Sequence, residues 1–266
     1  MPPPALITPK KLARLVGLPD APHIVDVCID EDFALDPCLI PGAVRHPFRE
    51  IESLVPTLAG ERVVVVCQKG LKLSQGAAAL LRTHGVAAEA LEGGAVGWRE
   101  AGLPMVPVSR LPPPRETGGT LWVTRQRPKI DRIACPWLLR RFVDRRARVL
   151  FVEPRQVEAV AERYGATPFD VEGARFSHRG ERCTFDTMLD EFALDTEPLG
   201  RMAEVIRAAD TDRHADVPQA AGLLALSVGF SRMFRNDERQ LEAALSLYDA
   251  LYRWARDGYD EGHQWP

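Results

Sequence analysis

The segment CQKGLK, which begins at Cys67, carries the residue types best suited to covalent chemistry. Cys67 ends a run of four valines typical of a buried parallel strand, and the residues after it lead into a helix-like stretch. A glycine-bearing turn at a helix N-terminus can direct several N–H groups at one anion, and two lysines add positive charge. These groups favour the thiolate, the nucleophilic form of cysteine. We therefore predict that Cys67 is catalytic, with a structural core thiol as the alternative. The predicted substrate-binding residues are Gln68, Lys69, Gly70, Leu71 and Lys72.

The stretch FSHRGERCTFD, residues 176–186, gathers side chains that can bind a metal ion. It mixes imidazole, thiolate and carboxylate groups, and the nearby ADTDRH adds further carboxylates that could complete a site in space. Asp131 and Cys135 are additional candidates. A turn built from ordinary capping and core groups is the alternative. The predicted metal ligands are His178, Glu181, Cys183 and Asp210.

The segment 125–148 is strongly basic, with nine Lys or Arg residues against two Asp. One interpretation is an anion site for an oxyanion or for nucleic-acid phosphates, and the other is a solvated helix face. Aromatic residues are sparse here and the domain is nearly neutral, so nucleic acid is not an expected partner.

The elements that must position these groups fall into two patterns. Short apolar strands alternate with helices before position 106, as in HIVDVC and RVVVVC, which predicts an α/β domain with a parallel sheet. In this half Thr8 caps one helix, and Ser74 is predicted to cap another that runs through Thr83. Helical spacing dominates after position 120, most clearly where Asn236 precedes a long amphipathic segment. The second half is therefore predicted to be a helix-rich α+β domain.

A proline- and glycine-rich stretch, VPVSRLPPPRETGGT, separates the two patterns. We place a first domain at residues 1–108, a linker at 109–119 and a second domain at 120–266.

Composition limits the class of protein. The 266 residues carry a formal net charge of -3 and 45% apolar residues, and no apolar run approaches the ~20 residues that cross a bilayer. The N-terminus lacks the pattern of a signal peptide, and five cysteines without paired spacing argue against a disulfide framework. A cytoplasmic protein without membrane contact is expected.

Residues 8–106 resemble a rhodanese domain, the sulfurtransferase module. The segment IVDVC (24–28) is similar to the family's Asp-bearing strand, IPGAVRHPF (40–48) to its Pro-Gly-Ala turn, and EGGAVGWREAGLP (92–104) to its C-terminal motif. The resemblance implies that Cys67 carries a persulfide. Phosphatases and arsenate reductases of this fold use a longer loop, so the six residues from Cys67 to Lys72 imply sulfur rather than phosphate chemistry. The Lys69–Gly70 pair resembles the branch that uses thiosulfate.

Two positions depart from the rhodanese pattern. Cys28 stands where arginine often follows Asp-Val, and Lys72 stands where many members have arginine. Lysine keeps the charge but loses the planar fork that binds an anion through two hydrogen bonds. Cys28 is interpreted as a core thiol at the end of a strand, with a resolving partner for Cys67 as the alternative.

Residues 122–256 resemble the C-terminal domain of bacterial chromate-resistance proteins of the ChrB type. The similar segments occur in order and include DRIACPWLLRRFVD, FSHRGERCTFDTML, ADTDR, PQAAGLLALS and YDALYRWAR. This resemblance implies a link to chromate resistance or to a chromate-dependent response.

Together the two resemblances imply a sulfurtransferase that uses no cofactor for sulfur transfer. Its donor would be thiosulfate-like and its acceptor a thiol or another thiophile. The second domain would bind a metal ion, chromate or another oxyanion. The alternative is a chromate- or redox-responsive regulator with a weakly active or inactive first domain.

Overall fold

The computed structural model describes residues 5–115 and 118–262. The chain divides into two compact units, the first comprising Met1–Leu111 with Arg141–Arg145, and the second Pro112–Arg140 with Arg146–Pro266. The predicted linker, residues 109–119, includes positions 116 and 117, which lie outside the described residues. No helix within the described part of the chain combines the length and apolarity needed to cross a membrane.

The first unit is an α/β structure built on a five-stranded parallel sheet. Its strands are β1 (Leu6–Ile7), β2 (His23–Asp26), β3 (Cys38–Leu39), β4 (Ala43–Arg45), β5 (Arg62–Val66), β6 (Ala87–Leu91) and β7 (Val106–Pro107). Its helices are α1 (Pro9–Ala13), α2 (Asp30–Ala34), α3 (Val55–Leu58), α4 (Lys72–Thr83) and α5 (Gly94–Glu100), with 3-10 turns at Phe48–Leu54 and Val108–Arg110. The sheet order is β1-β6-β5-β2-β4, and β3 pairs with β7 in a separate antiparallel ribbon.

The valine-rich strand β5 lies at the centre of this sheet. It pairs in parallel with β2 on one side and β6 on the other, with Val66 opposite Asp26. Val63 and Val65 pack in a core with Ala78 and Leu81 of α4. A strand covered on both faces needs apolar residues at every position, which explains the unbroken valine run.

Helix α4 begins three residues earlier than the sequence predicts. Its first residue is Lys72 and Leu71 is the N-cap, so the expectation that Ser74 caps this helix is wrong. The Ser74 hydroxyl instead contacts Cys67 and donates to the Leu71 carbonyl inside the first turn. By contrast, Thr8 caps α1 as predicted, because its hydroxyl accepts from the Lys11 N–H.

The second unit combines a short parallel sheet with many helices, and the predicted α/β unit followed by a helix-rich region is confirmed. Its strands are β8 (Leu121–Arg125), β9 (Arg148–Val152) and β10 (Thr167–Pro168), in the order β10-β8-β9. Its helices are α6 (Asp131–Leu138), α7 (Val157–Tyr164), α8 (Thr184–Glu191), α9 (Glu197–Asp210), α10 (Pro218–Met233) and α11 (Asp237–Asp257). A π-helical turn follows α6 at Leu139–Val143, and a 3-10 turn precedes α7 at Pro154–Gln156.

The two faces of β8 contact different parts of the second unit. Leu121 and Val123 pack with Val157 of α7 on one face. On the other face, Trp122 packs edge-on against Phe176 within a group of buried aromatic rings that also holds Phe169 and Phe192. The alternation along one strand therefore separates a helix-covered face from an aromatic core.

Candidate functional site

Cys67 lies at the carboxyl end of the central strand, immediately after β5. Ligands of open α/β sheets bind at this edge. The residue is only 5% exposed, and its Sγ lies 3.1 Å from the Ser74 Oγ, in a contact where either atom can donate. The first turn of α4 thus places a hydroxyl beside the sulfur, because the strand and the helix are joined by a loop of only five residues.

The loop between Cys67 and α4 directs its carbonyl groups into hydrogen bonds elsewhere in the unit. The Cys67 and Gln68 carbonyls each accept at 3.0 Å, from the N–H groups of Ala95 and Val96 in α5. The Gly70 carbonyl accepts from the Gln75 amide at 2.9 Å. With its carbonyl oxygens engaged in this way, the loop presents few acceptors that would repel an anion.

Two glycines allow this loop to approach the turn before α5. Gly70 has φ +68°, and a Cβ there would overlap the Leu91 carbonyl oxygen and lie 2.6 Å from the Gly94 nitrogen. Gly94 has φ +61°, and a Cβ there would overlap the Cys67 carbonyl oxygen. Both positions require glycine, for the positive φ and for the close backbone approach.

The two loop lysines are exposed. Lys69 lies in the loop and Lys72 is the first residue of α4, and neither forms an ion pair with a described residue. Gln68 is half-buried and Leu71 is exposed. Four of the five predicted substrate-binding residues therefore lie in the loop after Cys67, and the fifth, Lys72, is the first residue of α4.

Cys28 is a buried neighbour of Cys67 at the end of β2. Burial raises the pKa of the Cys28 thiol, and the charges of Asp26 and Cys67 raise it further. Its backbone N–H donates to the Asp26 carboxylate at 2.8 Å. A thiol held in its neutral form is a poor nucleophile, which favours the interpretation of Cys28 as a core residue.

Arg45, which was not predicted to belong to the site, lies beside it. Its guanidinium donates to the Cys28 carbonyl at 3.0 Å and to the Asp30 carboxylate at 2.8 Å, and it stacks over the Phe33 ring. It lines a cavity of about 490 Å³ together with Cys28 and His46. An arginine from the neighbouring strand β4 thus lies beside Cys28, the position at which many rhodanese domains carry their own arginine.

In the second unit, His178 is surrounded by three aspartates. Its Nε2 lies 3.5 Å from Asp131, 3.4 Å from Asp170 and 3.3 Å from Asp210. A hydrogen bond to Asp131 and the surrounding carboxylates raise the pKa of His178 to about 9, although its partial burial opposes this. Burial and the charges of Asp131 and Asp170 raise the pKa of Asp210 to about 7.

The structure places the four predicted metal ligands in different surroundings. His178 and Asp210 come together in the cluster described above. Glu181 is on an exposed turn, where its side chain is 91% exposed and 3.7 Å from Arg213. Cys183 is fully buried as the N-cap of α8, and its N–H donates to Asp186.

Asp170 is the cluster residue that the sequence analysis missed. It follows the two-residue strand β10 and ends the sequence TPFD, at the carboxyl edge of a parallel sheet. The available signal in the sequence was an aspartate after a short apolar run, which can mark the end of a strand. A strand of two residues is too short to show the alternation of apolar and polar residues that identifies a strand. Its carboxylate contacts Arg125 at 3.0 Å and Arg132 at 3.2 Å.

Several arginines of the basic segment 125–148 are engaged within the second unit. Arg125 and Arg132 contact Asp170, and Arg140 pairs with Glu242 at 2.6 Å. These cations balance acidic residues of the same unit, so the segment is less of an anion-binding surface than its sequence suggests.

Family models match both halves of the chain. The model described as "ChrB, C-terminal domain" matches residues 122–255, and the one described as "Rhodanese-like domain" matches residues 8–101. A curated relative, Protein ChrB of Cupriavidus metallidurans, is 35% identical over 140 residues. That match covers 52% of this chain and 42% of the relative, so the chain spans less than half of that protein's length.

Solved structures similar to the chain include two with related descriptions. A thiosulfate sulfurtransferase from Pseudomonas aeruginosa is 28% identical, with a TM-score of 0.35, and the match covers 40% of this chain and 20% of that one. A rhodanese-like domain protein from Staphylococcus aureus is 29% identical, with a TM-score of 0.32, and covers 35% of this chain and 89% of that one.

Proposed function

This chain belongs to the family of ChrB C-terminal domains and also carries a rhodanese-like domain, and on this basis we propose that it is a sulfurtransferase linked to resistance against chromate or related oxyanions. The observation that carries the proposal is the placement of Cys67. Its sulfur lies at the carboxyl end of the central strand, next to the Ser74 hydroxyl, and the exposed Lys69 and Lys72 follow in the chain. This position supports the proposal that Cys67 is the nucleophile.

Sulfur transfer through Cys67 takes two steps. The thiolate attacks the outer sulfur of thiosulfate, so that an S–S bond forms on the protein while the bond to the sulfonate breaks and sulfite leaves. A thiophilic acceptor then attacks the outer sulfur of the persulfide, takes that atom, and restores the thiolate. With cyanide as acceptor the product is thiocyanate, and neither step needs a cofactor.

The loop after Cys67 supplies the groups that this chemistry needs. Lys69 and Lys72 attract the sulfonate end of the donor, and loop N–H groups stabilise the persulfide anion. Ser74 donates to the sulfur when it carries negative charge, which stabilises the attacking thiolate and the persulfide alike. The physiological acceptor is proposed to be a thiol or another small thiophile.

The proposal includes a cytoplasmic location for the protein. All five cysteines are free thiols, which agrees with a reducing cytoplasm. The link to chromate or another oxyanion comes from the relation to ChrB. A regulator that binds DNA has less support, because Arg132 and Arg140 of the basic segment already pair with acidic residues.

A thiosulfate:cyanide assay on the full chain tests the proposal. The parent protein should form thiocyanate, and Cys67→Ser should reduce the rate to the level without enzyme. Cys38→Ser is the matched control, because Cys38 lies in the same unit and is more exposed, and its rate should equal that of the parent. Equal rates for Cys67→Ser and the parent would contradict a catalytic role for Cys67.

A further inference from the structure

A large cavity opens at the carboxyl edge of the second parallel sheet. It has a volume of about 1020 Å³, and its lining includes Asp170 and His178 together with Arg125 at the end of β8. Carboxyl edges of parallel strands are where α/β structures place their ligands. The aspartate–histidine cluster thus lies next to a space that a ligand can enter.

The contacts around His178 do not form one well-defined ion pair. Its Nε2 lies 3.3 to 3.5 Å from one oxygen of each of three aspartates, Asp131, Asp170 and Asp210. A single N–H can donate to one of them, and charge-assisted hydrogen bonds are shorter, at about 2.7–2.9 Å. The three carboxylates therefore converge on the imidazole without any one of them forming a short charge-assisted hydrogen bond.

Hydrogen bonds from the protein fix these carboxylates in place. Asp131 accepts from the N–H groups of Thr184 and Phe185 at the start of α8, and Asp170 accepts from the Thr184 hydroxyl. Donors of this kind orient ligand carboxylates in metal sites.

The positive charges around the cluster are unevenly distributed among its carboxylates. One Asp170 oxygen faces Arg125 and Arg132, so this carboxylate has its own counterions. Among described residues, Asp131 and Asp210 have only the imidazole of His178 within ion-pairing distance. Asp131 is 1% exposed, and burying such a carboxylate is costly unless a cation compensates it.

The side-chain hydroxyl of Thr124, in strand β8, has no hydrogen-bond partner among the described residues. Thr124 is fully buried. Side chains alternate along β8, so Thr124 points away from the α7 face that Val123 covers. The β8–α6–β9 and β9–α7–β10 connections run in opposite directions across the sheet, so right-handed crossovers put α6 and α7 on opposite faces. Thr124 therefore lies on the α6 face, at the carboxyl end of β8, and Asp131 is the first residue of α6. A buried, unpaired hydroxyl is an available donor or ligand for a group bound there.

The backbone that carries Asp131 is held in an unusual conformation. Ile130, just before α6, has φ +22°, a value that branched side chains rarely adopt. Two buried residues of α11 form hydrogen bonds with this segment. Tyr248 donates to the Ile130 carbonyl at 3.0 Å, and Gln240 donates to the Pro128 carbonyl at 2.7 Å. The fold thus fixes the position of Asp131 against local strain.

We propose that Asp131, Asp170, His178 and Asp210 bind one divalent first-row transition-metal cation, with Mn²⁺ as a suitable probe. Ligand atoms of Asp131, Asp170 and His178 lie within 4.8 Å of one another, close to the span of a single coordination shell. Carboxylate oxygens with one imidazole suit harder divalent ions rather than thiolate-seeking ones. The cation adds positive charge beside Asp131 and Asp210, whose only ion-pairing partner among the described residues is His178, and the cavity gives it an open coordination position.

This site differs from the one expected from the sequence. It keeps His178 and Asp210 but uses Asp131 and Asp170 in place of Glu181 and Cys183. The residues of this site belong to the second compact unit and Cys67 to the first, so the proposal of a metal site does not rest on sulfur transfer.

Titration of the full chain with Mn²⁺, followed by the loss of the free-ion electron paramagnetic resonance signal, tests the proposal. The parent should bind one Mn²⁺, whereas His178→Ala and Asp210→Asn should each weaken binding at least about tenfold. Glu181→Gln is the matched control, since it removes an exposed carboxylate close in sequence, and its affinity should equal that of the parent.

Thermal unfolding in the presence of a chelator establishes that each variant is folded. Adding Mn²⁺ should then raise the Tm of the parent and of Glu181→Gln but not that of Asp210→Asn. Asp131 is left unchanged, because its loss would also remove the acceptor at the start of α8. A folded parent that binds no Mn²⁺, or equal binding by the parent and both cluster variants, would overturn the metal site.

Discussion

The Sγ of Cys67 lies 3.1 Å from the Oγ of Ser74, across the turn that joins the central strand to α4. Ser74 is fully buried, so this hydroxyl has few alternatives to the sulfur and the Leu71 carbonyl. The contact links the identity of one helix residue to the reactivity of the predicted nucleophile.

Ser74→Ala removes this hydroxyl without adding bulk. One hydrogen bond contributes about 0.5–1.5 kcal/mol, so the rate of sulfur transfer should fall about two- to tenfold. Alkylation of Cys67 by iodoacetamide should slow by a similar factor. Thr83→Ala, which removes an exposed hydroxyl from the same helix, should leave both rates unchanged. Parent-like rates in Ser74→Ala would show that the hydroxyl does not assist the sulfur.

Gly70→Ala should destabilise the first unit and reduce sulfur transfer. The positive φ alone costs about 1–3 kcal/mol in a residue with a side chain, and the added Cβ overlaps the Leu91 carbonyl. Gly76→Ala is the control within α4: no atom lies within 4 Å of its new Cβ, so the free energy of unfolding should rise by up to about 1 kcal/mol. Urea denaturation measures both, and equal stability of the two variants would contradict the close packing of the loop.

Replacing Lys69 and Lys72 together by alanine should raise the KM for thiosulfate. Each exposed cation contributes at most about 1 kcal/mol to anion binding, so the combined rise should be about tenfold and should shrink at high salt. The double variant of Lys10 and Lys11 in α1 makes the same change of net charge away from the loop. If both double variants had the same KM, net charge rather than these two positions would bind the donor.

The pH dependence of stability should report the buried carboxyl group of Asp26. Burial raises its pKa above the value in the unfolded chain, although the hydrogen bond from the Cys28 N–H and the charge of Arg45 oppose the shift. A raised carboxyl pKa means that the folded state binds the proton more tightly, so this group's contribution falls as pH rises from the unfolded pKa of about 3.9 through the folded pKa.

Asp26→Asn keeps an oxygen acceptor for the Cys28 N–H but removes this titration. The free energy of unfolding of the variant, relative to the parent, should therefore increase between pH 3.5 and pH 7. Urea denaturation at the two pH values measures the difference, with the exposed Asp20→Asn as control. A difference between variant and parent that is independent of pH would show that Asp26 titrates normally.

Much of the first unit could be predicted from local sequence. A valine run between turn signals identifies a buried strand, and a cysteine at its end falls at the edge where ligands bind. The start of α4 could not be predicted, because Ser74 is a good capping residue that the fold uses to contact Cys67 instead. The role of Ser74 is determined by its tertiary contact with Cys67, which local capping preferences do not predict.

The second unit shows the limits of reasoning from neighbouring residues. His178, Glu181 and Cys183 are close in sequence, but the tight turn between Arg179 and Arg182 exposes Glu181 and the start of α8 buries Cys183. Asp170 reaches His178 only because β10 pairs with β8 across a long sequence separation. Such pairings depend on the whole fold, and no short motif contains them.

The most direct test of the central claim is the intact mass of the protein after incubation with thiosulfate and removal of the excess reagent. Sulfur transfer through Cys67 predicts that the parent gains the mass of one sulfur atom, located on Cys67 by peptide analysis and lost on adding cyanide. Cys67→Ser should gain none. A parent protein that gains no sulfur, or that carries it on another cysteine, would contradict the account.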